Sequence, residues 1–189
     1  MPKVLIVTGD GGESYEALYA LHRFQEEGWE AVVAAPSKRR LNLVIHDFKP
    51  GWDTYIERRG YGLESQITFD QIRVGDYEAV LLLGGRAPEY LRNHAQLLET
   101  MREFERQKKW IFAICHGVQV LAAAGLVDGK RLTCYEHVRL ETEKAGAQWV
   151  AEEAVCDGRL ITAQTWMSHP MFYREIFAHL RSKSDAARS

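Results

Sequence analysis

The sequence predicts an α/β sandwich, a mostly parallel central sheet with helices on both faces, and three observations predict it. Short, continuous apolar runs of strand length recur at residues 4–7, 31–35, 79–83 and 110–114. Strands buried on both faces lose the in–out alternation of a half-exposed sheet and read this way. Longer segments with helical periodicity lie between them, and glycine-rich turns follow the strands directly. Alternating strands and helices fit a sheet covered on both sides.

Taken in order, residues 4–7 are a buried strand, followed by the turn Gly9-Asp10-Gly11-Gly12. A helix is expected from near Ser14, with Tyr15, Leu18, Leu21 and Phe24 at threefold spacing and Gly28 as its stop. Residues 31–35 form the second strand, ended by Pro36. Residues 37–75 are polar and aromatic, contain Pro50-Gly51, Gly60 and Gly62, and read as a hairpin-bearing insertion with strand pieces at 43–45 and 66–69. They hold too few apolar residues for a core of their own. The rhythm resumes with a strand at 79–83, the Gly84-Gly85 turn, a helix near 94–108, a strand at 110–114 and a helix at 117–124. Further strands are expected around 132–134 and 159–163, and a last helix from Pro170 carries Phe172, Ile176 and Leu180. The reading is one domain over residues 1–181, followed by a polar, disordered tail at 182–189.

Composition narrows the function. A chain of 189 residues, 46% apolar, suits a single domain with a real core. With 26 acidic against 24 basic side chains it lacks the basic field that nucleic-acid binding draws on. No run approaches the ~20 apolar residues that span a bilayer, and no secretory leader is evident, so a cytoplasmic setting is expected. The three cysteines, Cys115, Cys134 and Cys156, cannot all pair and show no CxxC spacing. Neither a disulfide framework nor a zinc site is expected from them.

Ligand sites of parallel sheets lie beyond the carboxyl ends of strands, here the loops at 9–13, 84–89 and 115–117. The sharpest signal is Ala113-Ile114-Cys115-His116-Gly117, where a buried strand ends on a cysteine and a helix begins at once. A nucleophile elbow needs this pattern, because the tight turn exposes the nucleophile and tolerates only small flanking residues. The helix start favours thiolate at Cys115, whereas an ordinary buried cysteine would leave the flanking glycine and strand-to-helix switch unexplained. The amides of Gly85 and His116 are candidates for an oxyanion hole. Glu13 stands on the same rim, either as a helix-start carboxylate or as a proton donor beside the sulfur.

Together, VLIVTGDGGESYEALYALHRFQEEGWE, LLLGGRAPEYLR, AICHGVQVLAAAGLVDGKRLT and AGAQWV followed by LITAQ make the chain resemble the ThiJ/PfpI superfamily over residues 2–180. That superfamily includes PfpI-type intracellular proteases, the Parkinson-linked deglycase and glutathione-independent glyoxalases. The resemblance implies a flavodoxin-like sandwich, Cys115 as nucleophile and Glu13 as the carboxyl on its sulfur. It also implies His116 in a triad with Glu89 of a neighbouring subunit, and Tyr135 near the pocket. Consecutive helical residues point about 100° apart, so His116 need not face the Cys115 sulfur unaided. A homodimer or larger homo-oligomer, with a trimer of dimers as the PfpI-type form, is implied in the same way.

The leading functional expectation is a cysteine-dependent glyoxalase or deglycase acting on small reactive aldehydes, without cofactor or metal. A PfpI-type cysteine peptidase or amidase shares the elbow, and a non-catalytic redox-sensing stress protein or chaperone shares the reactive thiol. Cys115-His116-Gly117-Val118-Gln119 also looks like a glutamine amidotransferase elbow, but His169-Pro170-Met171 carries Met where that family has Glu. Gly9-x-Gly11 places Ser14 where a dinucleotide fingerprint has its third glycine, and Glu13 would repel a pyrophosphate. His46-Asp47 is read as loop polarity.

Overall fold

The apolar runs become the centre of one seven-stranded sheet because side chains on both faces of each strand are taken out of water. The computed structural model describes the backbone of residues 1–186 and the side chains of residues 1–181. The first half runs β1 (Lys3–Val7), α1 (Ser14–Glu26), β2 (Glu30–Ala35), β3 (Arg40–Asp47), β4 (Ile56–Glu64), β5 (Ile67–Thr68), β6 (Ala79–Leu82), α2 (Ala87–Leu91) and α3 (Ala95–Arg106). The second runs β7 (Trp110–Ile114), α4 (Val118–Ala123), β8 (Arg131–Leu132), α5 (Arg139–Lys144), β9 (Gln148–Trp149), β10 (Ala154–Asp157), β11 (Leu160–Ala163) and α6 (His169–Ala186).

The strand order is β10-β11-β7-β6-β1-β2-β5. Every pairing is parallel except that of β10 with β11 at the edge. Register sets Leu5 opposite Val32 on one side and Val80 on the other, and Phe112 opposite Leu81 and Ile161. From β1 the chain moves one way to β2 through α1, and from β6 it moves the other way to β7 through α3. Right-handed crossovers in opposite directions put α1 and α3 on opposite faces. The order reverses between β1 and β6, where such sheets open a ligand crevice.

Packing follows from a few large side chains. Phe24 of α1 lies 6.5 Å from Phe112 of β7 and 5.2 Å from Phe177 of α6, so α1 and α6 close over the same face. Burying each such ring stabilises by about 1.5–3 kcal/mol. Lys108, at φ 53°, turns the chain from α3 back into β7.

The insertion carries a hairpin, but its second arm is not the piece expected at 66–69: β3 and β4 pair antiparallel from Arg40↔Glu64 to Asp47↔Ile56, with an irregularity near Asn42/Val44, while Ile67–Thr68 is β5, paired parallel to β2 at the edge of the main sheet. Gly60 on β4 is required by close approach, since a Cβ there would meet Ser14 Oγ at 2.6 Å and the Val44 carbonyl carbon at 2.9 Å. The bridges Gly12↔Gly85 and Glu13↔Val44 tie the loop after β1 to the loop after β6 and to this hairpin. The elements α2, α5, β9 and β10 are additional to those expected. β8 pairs with β9 in a separate two-stranded sheet. α6 runs to Ala186, through the first part of the segment expected as a disordered tail; residues 187–189 of that segment lie outside the described residues.

Candidate active site

All five residues of β7 are buried, and the strand delivers Cys115 to its carboxyl end at φ 58°. Left-handed backbone at a residue other than glycine costs of order 1–3 kcal/mol and persists only where neighbours fix it. Two glycines do so. A Cβ on Gly117 would sit 2.3 Å from the Leu82 carbonyl oxygen, and one on Gly84 would sit 2.6 Å from Cys115 Cβ. One tight turn, Cys115–Gly117, then leads into α4. The elbow is therefore built as the small flanking residues predicted.

The Cys115 side chain is 3% exposed and enclosed by polar groups from three loops. The backbone amides of His116 and Gly85, the same two singled out in the sequence, stand near its sulfur and favour the thiolate. His116 Nδ1 lies 3.3 Å from Cys115 Sγ. The left-handed turn at Cys115 removes the geometric difficulty that an ordinary helix would impose on that contact.

The carboxyl that reaches the sulfur is Glu16, not Glu13. Glu16 Oε2 and Cys115 Sγ crowd the same side of Gly84, where an added Cβ would meet them at 2.9 and 3.1 Å, and Oε2 accepts from the Gly84 amide at 2.6 Å while Oε1 has no partner. Glu13 instead caps α1: one of its oxygens accepts from the Glu16 amide at 2.7 Å, the other from the His46 amide at 3.4 Å. The physical reason is the start of α1 at Ser14. Residue 13 is then the cap, with its carboxyl turned back on the first-turn amides, while residue 16 faces β6 one turn inside.

Burial, then the nearby Glu13 charge, holds the Glu16 carboxyl well above its usual range. Burial, then the Glu16 charge, also pushes the Cys115 thiol up, against the two amide hydrogen bonds that favour thiolate. The expectation of a thiol lowered by the helix start is thus offset by complete enclosure. Burial, and then the positive charges of His46, His137 and Arg92, lower His116 to about 4, leaving its imidazole neutral at pH 7.

The hairpin and the β8–α5 connection supply an aromatic wall. The Tyr135 ring centroid is 5.2 Å from that of His116 and 5.7 Å from that of Tyr55, and Tyr135 Oη lies 3.2 Å from Thr54 Oγ1. Tyr135 is therefore beside the pocket. Tyr55 stacks on His46 at 3.8 Å, and burial pushes its hydroxyl up to about 12. His46 is thus a neighbour of the site and not loop polarity. Its ring is buried, its Nε2 lies 2.9 Å from Glu57, and its Nδ1 has no partner. Glu89 is exposed on α2, and within the chain its carboxylate makes no hydrogen bond to His116. His169 is enclosed by Tyr15, Tyr19 and Tyr173 with neither ring nitrogen bonded, so it does not complete an amidotransferase triad.

The DJ-1/PfpI family profile matches residues 2–179. The chain belongs to the DJ-1/PfpI family. It is 38% identical to Protein DJ-1 homolog D of Arabidopsis thaliana over 191 residues, 97% of this chain and 49% of that protein, so it spans about half that relative's length. It is 32% identical to Deglycase PfpI of Pyrococcus furiosus over 162 residues, 86% of this chain and 89% of the relative. General stress protein 18 of Bacillus subtilis is 38% identical over 114 residues, 60% of this chain and 66% of that one. Among solved structures, a ThiJ/PfpI domain protein from Brachyspira murdochii shares the fold at TM-score 0.83, with 18% identity and 96% of both chains covered. A two-domain protein from Anabaena variabilis with DJ-1/ThiJ/PfpI-like and ferritin-like domains superposes at TM-score 0.82, with 25% identity over 95% of this chain and 48% of that one. Among the described residues no helix is long and apolar enough to cross a membrane.

Proposed function

We propose that the chain is a cysteine-dependent deglycase/glyoxalase acting on small reactive aldehydes, with Cys115 as nucleophile and Glu16 as its acid–base partner. The observation that carries this is the Cys115 sulfur itself, set at a strained elbow, 3.3 Å from His116 Nδ1 and beside the buried Glu16 carboxyl. Relatives named deglycase and matched over 89% of their length support the same class. In the reading, sulfur adds to the aldehyde carbon of methylglyoxal while the carbonyl oxygen gains a proton, giving a hemithioacetal. Glu16 or a water it positions takes the proton from C1, exchanges it with solvent and returns one to C2 through an enediol, leaving a lactoyl thioester. Water cleaves the thioester, restoring the thiol and releasing lactate. Gly85 and His116 N–H groups hold the oxyanions, and neutral His116 serves as a hydrogen-bonding group at the sulfur. Carbonyl adducts of amines would enter by the same addition.

Glu89 is exposed and unbonded to His116 within the chain, which is what a cross-subunit triad in a homo-oligomer requires; this supports the peptidase as a second reading. The free thiols accord with a reducing, cytoplasmic setting. The test is methylglyoxal turnover in D2O. Lactate carrying one deuterium at C2, formed by wild type and absent with Cys115→Ser, is expected. Equal lactate from Cys115→Ser overturns the nucleophile, and C2 without deuterium overturns the enediol. A fluorogenic peptide cleaved by wild type but not Glu89→Ala would favour the peptidase.

A further inference from the structure

A second cluster of chemistry-bearing side chains lies on the outer edge of the sheet. Glu175 and His179 stand four residues apart on α6 and so share one face of the helix, with Glu175 Oε1 3.1 Å from His179 Nε2. The edge strand β10 brings Cys156 to them, and one ligand atom from each of the three lies within 4.8 Å of the others. The cluster is separate from the elbow. Cys156 pairs with Ile161 and Ile161 with Phe112, three residues before Cys115. Two strand spacings of ~4.8 Å and three residues at ~3.3 Å rise put it ~14 Å from the reactive thiol.

We propose that Cys156, Glu175 and His179 bind one divalent transition-metal ion of the zinc class, with water in the fourth position. The donor set is a thiolate, a carboxylate and an imidazole, which together suit zinc. Ligand bonds of ~2.0–2.3 Å in a tetrahedron place donor atoms ~3.3–3.7 Å apart, so the cluster closes on an ion by side-chain rotation alone. All three residues are half-buried, which keeps one side open for water. The thiolate and carboxylate carry two negative charges that the ion neutralises. On binding, the S–H bond of Cys156 breaks, an S–metal bond forms and the proton goes to solvent; nothing is oxidised or reduced. The ion would clip the edge strand β10 to α6, which packs against it. The sequence gives no metal signature, and none was expected, because the thiol and the helical pair belong to different elements brought together only by the fold.

The test uses tag-free, full-length protein, stripped with a chelator, desalted and titrated with Co2+ without oxygen. A thiolate-to-cobalt charge-transfer band that saturates at one equivalent and is bleached by Zn2+ is expected. The band is lost in Cys156→Ser and in His179→Gln, which keeps the helix face polar and guards against a folding defect in the thiol variant. It is retained in Cys115→Ser. Zn2+ should raise the melting temperature of wild type and Cys115→Ser but not of His179→Gln. No band in wild type, an unchanged band in Cys156→Ser, or a band lost in Cys115→Ser overturns the proposal.

Discussion

Replacing Gly117 by alanine tests whether the elbow holds Cys115 in place. The added Cβ would meet the Leu82 carbonyl oxygen at 2.3 Å and its carbon at 2.9 Å. Both belong to the backbone of a central strand, so neither can rotate away. Restoring ordinary contact needs a shift of roughly 1 Å, and forced overpacking of this kind costs about 1–3 kcal/mol. At about 2–4 °C per kcal/mol for a chain of this size, the melting temperature should fall by about 2–12 °C. Gly117 shares a turn with Cys115, so the sulfur moves too, and a misplacement of ~1 Å costs ~10²-fold in rate. The assays are a thermal melt and methylglyoxal turnover. Gly125→Ala is the control. Gly125 has φ 75°, but a Cβ there would meet nothing within 4 Å, so that variant should lose about 1 kcal/mol of stability and keep its rate. A Gly117→Ala protein that melts and turns over like wild type would show that the Leu82 carbonyl does not fix the elbow.

Three further outcomes are expected. Burial lowers His116 and His169 to about 4. The unfolded chain therefore binds more protons below the usual value near 6.5, and stability is lost as pH falls from about 6.5 to about 4, by up to ~3 kcal/mol per histidine. Melts of wild type and His169→Gln across that window should converge toward acid pH, and parallel curves would contradict this. Tyr135→Phe removes only the hydroxyl contact to Thr54, worth about 1 kcal/mol; KM should rise about fivefold with kcat kept, and a lost kcat would give Tyr135 a chemical role. Phe24→Ala opens the α1–β7–α6 contact and should destabilise by about 3–5 kcal/mol in urea melts.

The parallel sheet was legible because its central strands are apolar on both faces, and so was the Cys115 elbow, because Ala113 and Gly117 are the residues a tight turn needs. β4 was not, since its arm Ile56–Glu64 is mostly exposed and carries no alternation. His46 was hidden for the same reason: only the hairpin brings it onto Tyr55. The acid was displaced by one turn for a subtler cause. Spacing by three made Tyr15, Leu18 and Leu21 look like the buried face, but a 3.6-residue helix drifts away from a strict threefold pattern. The face that is buried carries Glu16, Ala17, Ala20 and Phe24, and a glutamate among small apolar residues was the available signal. The Cys156 cluster joins a strand to a helix across the sheet edge, beyond what spacing alone can show.

In the proposed mechanism Glu16 handles the proton at Cys115 while Glu13 caps α1. The most direct measurement is kcat for lactate formation in Glu16→Gln beside Glu13→Gln. Glu16→Gln keeps an acceptor for the Gly84 amide and Glu13→Gln keeps one for the Glu16 amide, the shorter of its two bonds, but neither side chain can release a proton at neutral pH. A ~10²–10⁴-fold loss is expected for Glu16→Gln, and a rate close to wild type for Glu13→Gln. The reverse order, or equal rates in both, would contradict it.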